Sequence, residues 1–185
     1  MHYQKIYNSP LGQMTLISDG EYLTGLIFSN SPYSNKFKEK NITKELPIFN
    51  ETFKWLDIYF SGKKPTFTPK YKLENISDFT REVIEYIKPI PYGEVITYGD
   101  IANKIVKKKH INKMSSQAVG GAVGRNPICL IIPCHRVVGQ NKQLTGYGGG
   151  IANKIKLLEL EKIDIQNYKL PKKRKNKWID VIGVI

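Results

Sequence analysis

A five-residue apolar run, Ile128 to Ile132, lies between two prolines, and Cys134 directly follows the second of them. Such a run predicts a short buried strand. Pro133 predicts the end of that strand, because proline offers no backbone N–H to a neighbouring strand. The chain must therefore fold so that this segment is buried while Cys134 is presented at the end of a rigid element.

Two residues that can activate a thiol, His135 and Arg136, come immediately after Cys134. The thiolate is the nucleophilic form of cysteine, and a neighbouring imidazole or guanidinium group lowers the pKa of a thiol. We therefore predict that Cys134 is a nucleophile, whereas Cys129, inside the apolar run, is predicted to be an inert buried residue. The two cysteines lie too close together in an extended segment for an easy disulfide, which favours a reducing compartment.

The first half of the chain alternates between short apolar runs and turn sequences, such as Ser9-Pro10-Leu11-Gly12 and Asp19-Gly20. Over residues 1–30 this pattern predicts the strands of an antiparallel meander. Further on, Asn50 predicts the N-terminal cap of a helix whose apolar residues recur at helical spacing. The first half is therefore predicted to be mixed α and β.

The second half begins near Lys72 and contains two helix-start signals, Ser77 and the capping-box pair Thr97 and Asp100. A short helix of small residues is predicted over 115–123, after a basic turn. A helix, a basic turn and a second helix resemble a helix-turn-helix, in which the second helix enters a groove of DNA. The glycines of that helix either let a DNA backbone come close or allow tight helix packing, and their spacing favours neither reading.

Charge and hydropathy narrow the possible partners and locations. Basic residues outnumber acidic ones, 29 to 16, which gives a net charge of +13. This excess favours a polyanionic partner, above all nucleic acid, although a lysine-rich composition alone would also produce it. No stretch approaches the roughly 18 apolar residues of a membrane span, and the N-terminus lacks an apolar signal core, so a cytoplasmic protein is predicted. With no cysteine before Cys129 and only His2 as an early histidine, no metal is expected.

The run Pro133-Cys134-His135-Arg136-Val137 resembles the signature of the O6-alkylguanine-DNA alkyltransferases, the methylated-DNA–protein-cysteine methyltransferases. Other stretches between residues 76 and 163 are similar to the same family in the same order. They are Tyr92-Gly93-Glu94-Val95-Ile96-Thr97-Tyr98, Ala118-Val119-Gly120-Gly121-Ala122, Asn126-Pro127 and Leu144-Thr145-Gly146-Tyr147.

The resemblance implies an α/β (α+β) fold in two domains. Residues 1–73 would form an N-terminal mixed domain with a small antiparallel sheet of the ribonuclease H-like type. Residues 74–168 would form a helical C-terminal domain with a winged-helix-like helix-turn-helix, which binds DNA and carries out alkyl transfer. Residues 169–185 would be a basic tail, either an arm on the DNA backbone or a solvated appendage.

The resemblance also implies a reaction. Cys134 would remove the alkyl group of O6-alkylguanine in double-stranded DNA, with O4-alkylthymine as a second candidate lesion, in one irreversible turnover without a cofactor. His135 would act as base through a water molecule, Glu161 would orient the imidazole, and Asn126 would brace the thiol-bearing segment. The protein is expected to act as a monomer and to associate with the nucleoid when bound to DNA.

Further roles follow from the same resemblance. Tyr98 would crowd the 3′ phosphate of the target nucleotide, which must leave the base stack to reach a buried sulfur. Gln117 stands where many family members carry an arginine that fills the vacated space, so weaker DNA affinity is expected unless other cations, such as the Lys107 to Lys109 run, compensate. The remaining predicted DNA contacts are Ala118, Gly120, Gly121 and Arg136, and the predicted walls of the base pocket are Tyr147, Gly148 and Val137.

Two other classes of function are considered. A non-catalytic damage sensor or helix-turn-helix regulator of the same fold would not need a nucleophile, yet Cys134 is intact in the signature. A cysteine hydrolase needs an oxyanion hole and usually a histidine distant in sequence rather than an adjacent one. Alkyl transfer is therefore the predicted function.

Overall fold

A computed structural model describes residues 2–31, 34 and 42–170. Lys169 and Leu170, the first two residues of the predicted basic tail, fall within this range, and the rest of the tail lies outside the described residues. Within the described part of the chain, no helix is long and apolar enough to cross a membrane.

The first half is built on a four-stranded sheet. Strands β1 (Tyr3–Ser9), β2 (Gly12–Ser18) and β3 (Leu23–Phe28) pair antiparallel in sequence order, which confirms the predicted meander. The short β4 (Ile42–Thr43) adds to the free side of β1 in parallel orientation, so the sheet is mixed rather than purely antiparallel.

Helix α1 (Pro47–Phe60) packs on β1 and β2. The prediction that Asn50 caps this helix is wrong, because the N-terminal cap is Leu46 and the helix begins at Pro47. Proline suits the first helical position, where no backbone N–H is needed and φ is already helical. The helix buries Phe49, Leu56 and Tyr59, and the last of these lies near its C-terminal end.

The second half is mainly helical, with α2 (Asp78–Ile87), α3 (Tyr98–Lys109), α4 (Ser116–Gly124) and α5 (Ile151–Leu160). The Ser77 side chain caps α2, and Thr97 and Asp100 form the predicted capping box of α3. Helices α2 and α3 both pack on α4, and α3 and α4 are joined by residues 110–115. A two-stranded parallel pair, β5 (Ile96–Thr97) and β6 (Val137–Val138), lies beside them.

The apolar run Ile128 to Ile132 is buried apart from a partly exposed Ile131, but the prediction that it forms a strand is wrong. It is a compact turn, in which Leu130 has a φ of 68° and Cys129 bridges to Ile132. The turn docks on the edge of the first-half sheet, where the backbone of Cys129 donates a hydrogen bond to the carbonyl of Leu26 at 2.8 Å. The first half therefore provides the surface against which the cysteine-bearing segment is held.

Candidate active site

The turn that precedes Cys134 is held by one buried side chain, Asn126. Its amide nitrogen donates to the carbonyl of Ile128 at 3.3 Å and to the carbonyl of Ile132 at 2.9 Å, and its oxygen accepts from the backbone N–H of Ile128 at 3.0 Å. These bonds satisfy backbone groups that a strand would have paired with a neighbour, and they let the chain turn tightly. Cys134 then begins a single 3₁₀ turn, Cys134–Arg136.

Cys134 faces a pocket with an empty volume of about 330 Å³, part of which is open to solvent. The thiol-bearing residue is itself only 5% exposed, so a reacting atom has to enter the pocket to reach the sulfur. Ile27 and Ser31 from the first half line one side, and Tyr147 and Gly148, both predicted as pocket walls, line another. The pocket therefore lies between the two halves of the chain.

Val137, the third predicted pocket residue, lies elsewhere. Its side chain is fully buried in the main hydrophobic cluster, and its backbone pairs with Ile96 in the short parallel sheet. We therefore revise its proposed role from pocket wall to packing behind the site.

The surroundings of Cys134 favour its thiolate form. A hydrogen bond from the neighbouring Cys129 thiol lowers the pKa of Cys134; burial opposes this, and the Asn126 amide and the Lys154 ammonium group add to the lowering. The pKa of Cys129 is raised well above its ordinary value by the same hydrogen bond and by burial, so Cys129 keeps its proton. Cys129, which also lines the pocket, therefore lowers the pKa of Cys134 rather than being a passive packing residue.

His135 and Glu161 form a buried pair behind the thiol. The imidazole Nε2 lies 2.7 Å from Glu161 Oε1, and both side chains are inaccessible to solvent. Burial raises the pKa of Glu161, but hydrogen bonds from His135 and Arg136 outweigh it and bring the pKa down to about 2. Burial lowers the pKa of His135, so the imidazole is neutral near pH 7. An ionised carboxylate can only accept, so Nε2 carries the proton and Nδ1 is left as a free base.

Nδ1 of His135 is buried and has no hydrogen-bond partner among the described residues. Leaving a buried acceptor without a hydrogen bond costs free energy in a protein interior, so this nitrogen is a candidate functional group. The site thus combines a thiol of lowered pKa with an adjacent imidazole whose basic nitrogen is available.

Arg136 does not point outward as a DNA contact would require. Its Nε and Nη2 atoms donate to Glu161 at 2.8 and 2.9 Å, its Nη1 atom donates to the carbonyl of Ile90 at 2.7 Å, and the residue is 8% exposed. A guanidinium that is already paired in this way is not available to a phosphate. We therefore correct the predicted role of Arg136 from DNA contact to orientation of Glu161.

Two buried polar residues of the site were missed by sequence reasoning. The Tyr59 hydroxyl donates to Glu161 Oε1 at 2.7 Å. The Lys154 ammonium donates to the carbonyls of Val137 at 2.6 Å and Thr145 at 3.1 Å, tying the segment after Cys134 to the loop that enters the pocket wall. Burial lowers the pKa of Lys154 to about 8. Neither residue stands in a motif, and a helical position alone does not distinguish them from ordinary core or surface residues.

The remaining predicted DNA contacts lie on or beside α4. Gln117 and Ala118 are exposed, and Gly120 and Gly121 are half-buried. The Tyr98 ring packs beside Gly120, and its hydroxyl donates to the carbonyls of Thr145 and Gly146 at 3.1 and 3.3 Å. Tyr98 therefore links α4 to the pocket loop. In the described part of the chain, no cluster of His, Cys, Asp and Glu side chains is arranged to hold a metal ion.

Two protein-family models match the chain. One, for the ribonuclease-like domain of 6-O-methylguanine DNA methyltransferase, matches residues 2–73, and the other, for the DNA binding domain of the same protein, matches residues 78–163. Among curated proteins, the methylated-DNA–protein-cysteine methyltransferase of Haemophilus influenzae is 38% identical over 161 residues, which cover 87% of each chain. The protein of the same name from Mycobacterium tuberculosis H37Rv is 40% identical over 162 residues, covering 88% of this chain and 93% of that one.

Solved structures of similar proteins also superpose on this chain. A crystal structure of the Mycobacterium tuberculosis O6-methylguanine methyltransferase superposes with a TM-score of 0.73 at 38% identity, covering 88% of this chain and 93% of that one. A crystal structure of Mycobacterium tuberculosis OGT in complex with DNA superposes with a TM-score of 0.75 at 38% identity, covering 86% and 92% of the two chains.

Proposed function

The chain belongs to the 6-O-methylguanine DNA methyltransferase family, and from that premise we propose that Cys134 is the residue that takes up the alkyl group. The protein repairs DNA by transferring an alkyl group from the DNA to a cysteine. The single observation that carries the assignment to Cys134 is its position in the pocket. The lowered pKa of its thiol and the neutral imidazole of the next residue support the assignment. The non-catalytic sensor or regulator is not favoured.

The reaction we propose begins with removal of the Cys134 proton by Nδ1 of His135, through a bridging water. The thiolate then attacks the alkyl carbon on O6 of guanine, forming an S–C bond as the C–O bond breaks. The electron pair stays on the guanine, which takes up the proton that His135 removed from Cys134, relayed through water, and becomes a normal base. The thioether that results has no comparable leaving group, so each protein molecule reacts once.

Glu161 and Arg136 support this step by orienting the base. Glu161 accepts a hydrogen bond from Nε2–H of His135 and stabilises the imidazolium that forms when Nδ1 takes up a proton, as the carboxylate of a catalytic triad does. Arg136 holds the carboxylate from the other side. Asn126 keeps the turn before Cys134 in shape, so that the sulfur stays aimed into the pocket.

The partner is DNA, and we propose that it is double-stranded. Because the sulfur lies inside a pocket, we propose that the damaged base leaves the stack and enters between Tyr147 and Gly148 on one side and the first half on the other. The surface of α4 with Gln117, Ala118, Gly120 and Gly121 would lie against the duplex. O6-alkylguanine is the proposed lesion, and O4-alkylthymine is a second candidate. We propose that the protein is a monomer in the cytoplasm and that it associates with the nucleoid when it is bound to DNA.

The test is a titration with a duplex that carries radiolabelled O6-methylguanine. We expect about one label per protein molecule and no further uptake with excess duplex. The Cys134→Ser variant should take up none, whereas Cys129→Ser, which retains a hydrogen-bond donor beside the nucleophile, should reach the same final uptake. Continued turnover, or equal uptake by the Cys134→Ser variant, would disprove the assignment.

A further inference from the structure

One residue of the first half reaches the buried pair at the site. Tyr59 lies near the C-terminal end of α1, and its hydroxyl is 2.7 Å from Glu161 Oε1 and 3.2 Å from His135 Nε2. Tyr59 and His135 are fully buried, and Glu161 is 2% exposed. The contact spans 102 positions of sequence between Tyr59 and Glu161 and connects the two halves of the chain at the base behind the nucleophile.

The direction of these hydrogen bonds follows from the charge on Glu161. An ionised carboxylate accepts only, so the Tyr59 hydroxyl donates to Oε1 beside the proton of His135 Nε2. Oε1 also accepts from Arg136, and Oε2 accepts from Arg136 and from the backbone of Gly93. Among the donors to Glu161 in the described part of the chain, Tyr59 alone comes from the region matched by the ribonuclease-like model.

The position of the hydroxyl is set by aromatic packing on several sides of the Tyr59 ring. Trp55 stacks on it with ring centres 5.3 Å apart and planes at 7°, and Tyr92 and His135 meet it edge to face at 6.2 and 6.3 Å. A ring enclosed in this way has little freedom to turn. Burial raises the pKa of Tyr59 well above its ordinary value, so the phenol keeps its proton and remains a donor.

We propose that Tyr59 is a positioning residue for alkyl transfer, through which the first half of the chain fixes Glu161 and thereby the orientation and basicity of His135. This inference rests on the proposed function of Cys134 and His135. By donating to Oε1, the hydroxyl draws charge from the oxygen that faces the imidazole, and it restricts that oxygen to one place. Without the Tyr59 hydroxyl, Glu161 stabilises the imidazolium of His135 more strongly and holds the imidazole less rigidly.

The experiment compares Tyr59→Phe with Tyr92→Phe in the full-length protein. Tyr92 is the matched control, because its hydroxyl lies close by but donates to the carbonyl of Leu160 at 3.2 Å, and it is not among the hydrogen-bond donors to Glu161 in the described part of the chain. Single-turnover rate constants with an O6-methylguanine duplex are measured across pH, together with the final uptake per molecule. We expect Tyr59→Phe to keep full uptake but to react about tenfold more slowly, a part of the ~10²–10⁴-fold that a general base contributes.

The pH dependence of the single-turnover rate distinguishes a positioning role of the Tyr59 hydroxyl from a purely structural one. Loss of the Tyr59 hydroxyl should raise the pKa of His135, so the acid limb of the rate profile should move to higher pH in Tyr59→Phe and stay in place in Tyr92→Phe. A merely structural hydroxyl would change the thermal midpoint of unfolding or the reactive fraction but not the limb. Identical limbs and rates in Tyr59→Phe and the unsubstituted protein would overturn the inference.

Two further measurements keep the test decisive. In a Glu161→Gln background, the Tyr59→Phe change should have almost no further effect on rate, because the hydroxyl acts through that carboxylate; full additivity would contradict the inference. If Tyr59→Phe does not fold, difluorotyrosine at position 59 retains the ring and makes a stronger donor, and the acid limb should then move to lower pH, whereas an unmoved limb would count against the inference. Absence of label from the unsubstituted protein would instead refute the proposed function itself.

Discussion

His135 and Glu161 lie with Nε2 and Oε1 only 2.7 Å apart in the solvent-free interior. Because the pKa of Glu161 is about 2, the carboxylate is ionised and the shared proton belongs to the imidazole. This relationship determines which nitrogen of His135 could act as a base, because Nε2 carries the proton and the unpaired Nδ1 is left as the acceptor.

Replacing the carboxylate tests that relationship. In Glu161→Gln, the amide can donate as well as accept, so the tautomer of His135 is no longer fixed and Arg136 loses its charged partner. We expect the single-turnover rate to fall by about 100-fold or more and the free energy of unfolding to fall by about 3–5 kcal/mol, as for a broken buried ion pair. Glu159→Gln, an exposed position of α5, is the control. A rate within twofold of the unsubstituted protein would show that Glu161 does not orient the base.

The contribution of Cys129 is tested by the pH dependence of the thiol. Its hydrogen bond is the largest influence that lowers the pKa of Cys134, so Cys129→Ala should raise that pKa and shift the midpoint of thiol alkylation to higher pH. Cys129→Ser retains a donor and should shift the midpoint less. Stopped-flow alkylation with a small iodoacetamide probe measures both variants. Equal midpoints in the alanine variant and the unsubstituted protein would mean that Cys129 only fills space.

Lys154 should leave a signature in stability at alkaline pH. Its pKa is about 8 in the folded protein, against an ordinary value of 10.5. Between these values the unfolded chain binds more protons than the folded one, so the free energy of unfolding rises with pH, by up to roughly 3 kcal/mol. Urea titrations from pH 8 to pH 10.5 should show this rise, and Lys154→Met should lack it. Parallel curves for the two proteins would contradict a lowered pKa.

Gln117 is expected to govern how strongly the protein holds undamaged duplex. It is exposed on α4, and an arginine there would add a cation at the proposed DNA surface. Gln117→Arg should bind duplex more tightly, and the slope of log affinity against log salt should become steeper by about 0.9 for each added phosphate contact. Fluorescence anisotropy at several salt concentrations gives the slope. An unchanged slope would place Gln117 away from the backbone.

The starts of two helices could be predicted from the sequence, because each is fixed by residues close together in the chain. The Ser77 cap and the Thr97 and Asp100 capping box each use a side chain within three residues of the backbone that it satisfies, so sequence alone indicates the start of α2 and of α3. The proposal that Cys134 is the nucleophile also depends on a neighbour in the chain, since His135 adjoins Cys134.

Features that depend on distant contacts were not predictable. The run from Ile128 has the composition of a strand, yet Asn126 supplies the hydrogen bonds that make it a turn. Arg136 follows the nucleophile like a surface cation, but the Glu161 carboxylate, 25 residues away, holds it inside. Tyr59 joins the site only because α1 packs behind it, and no local pattern in α1 indicates that contact.

The most direct test of alkyl transfer to Cys134 is a peptide-resolved mass spectrum of the full-length protein after incubation with excess O6-methylguanine duplex. We expect one added methyl group per molecule, carried entirely on the sulfur of Cys134, and an equal amount of unmodified guanine in the duplex. A methyl group on Cys129 or on any other residue, or repaired guanine in excess of modified protein, would contradict it.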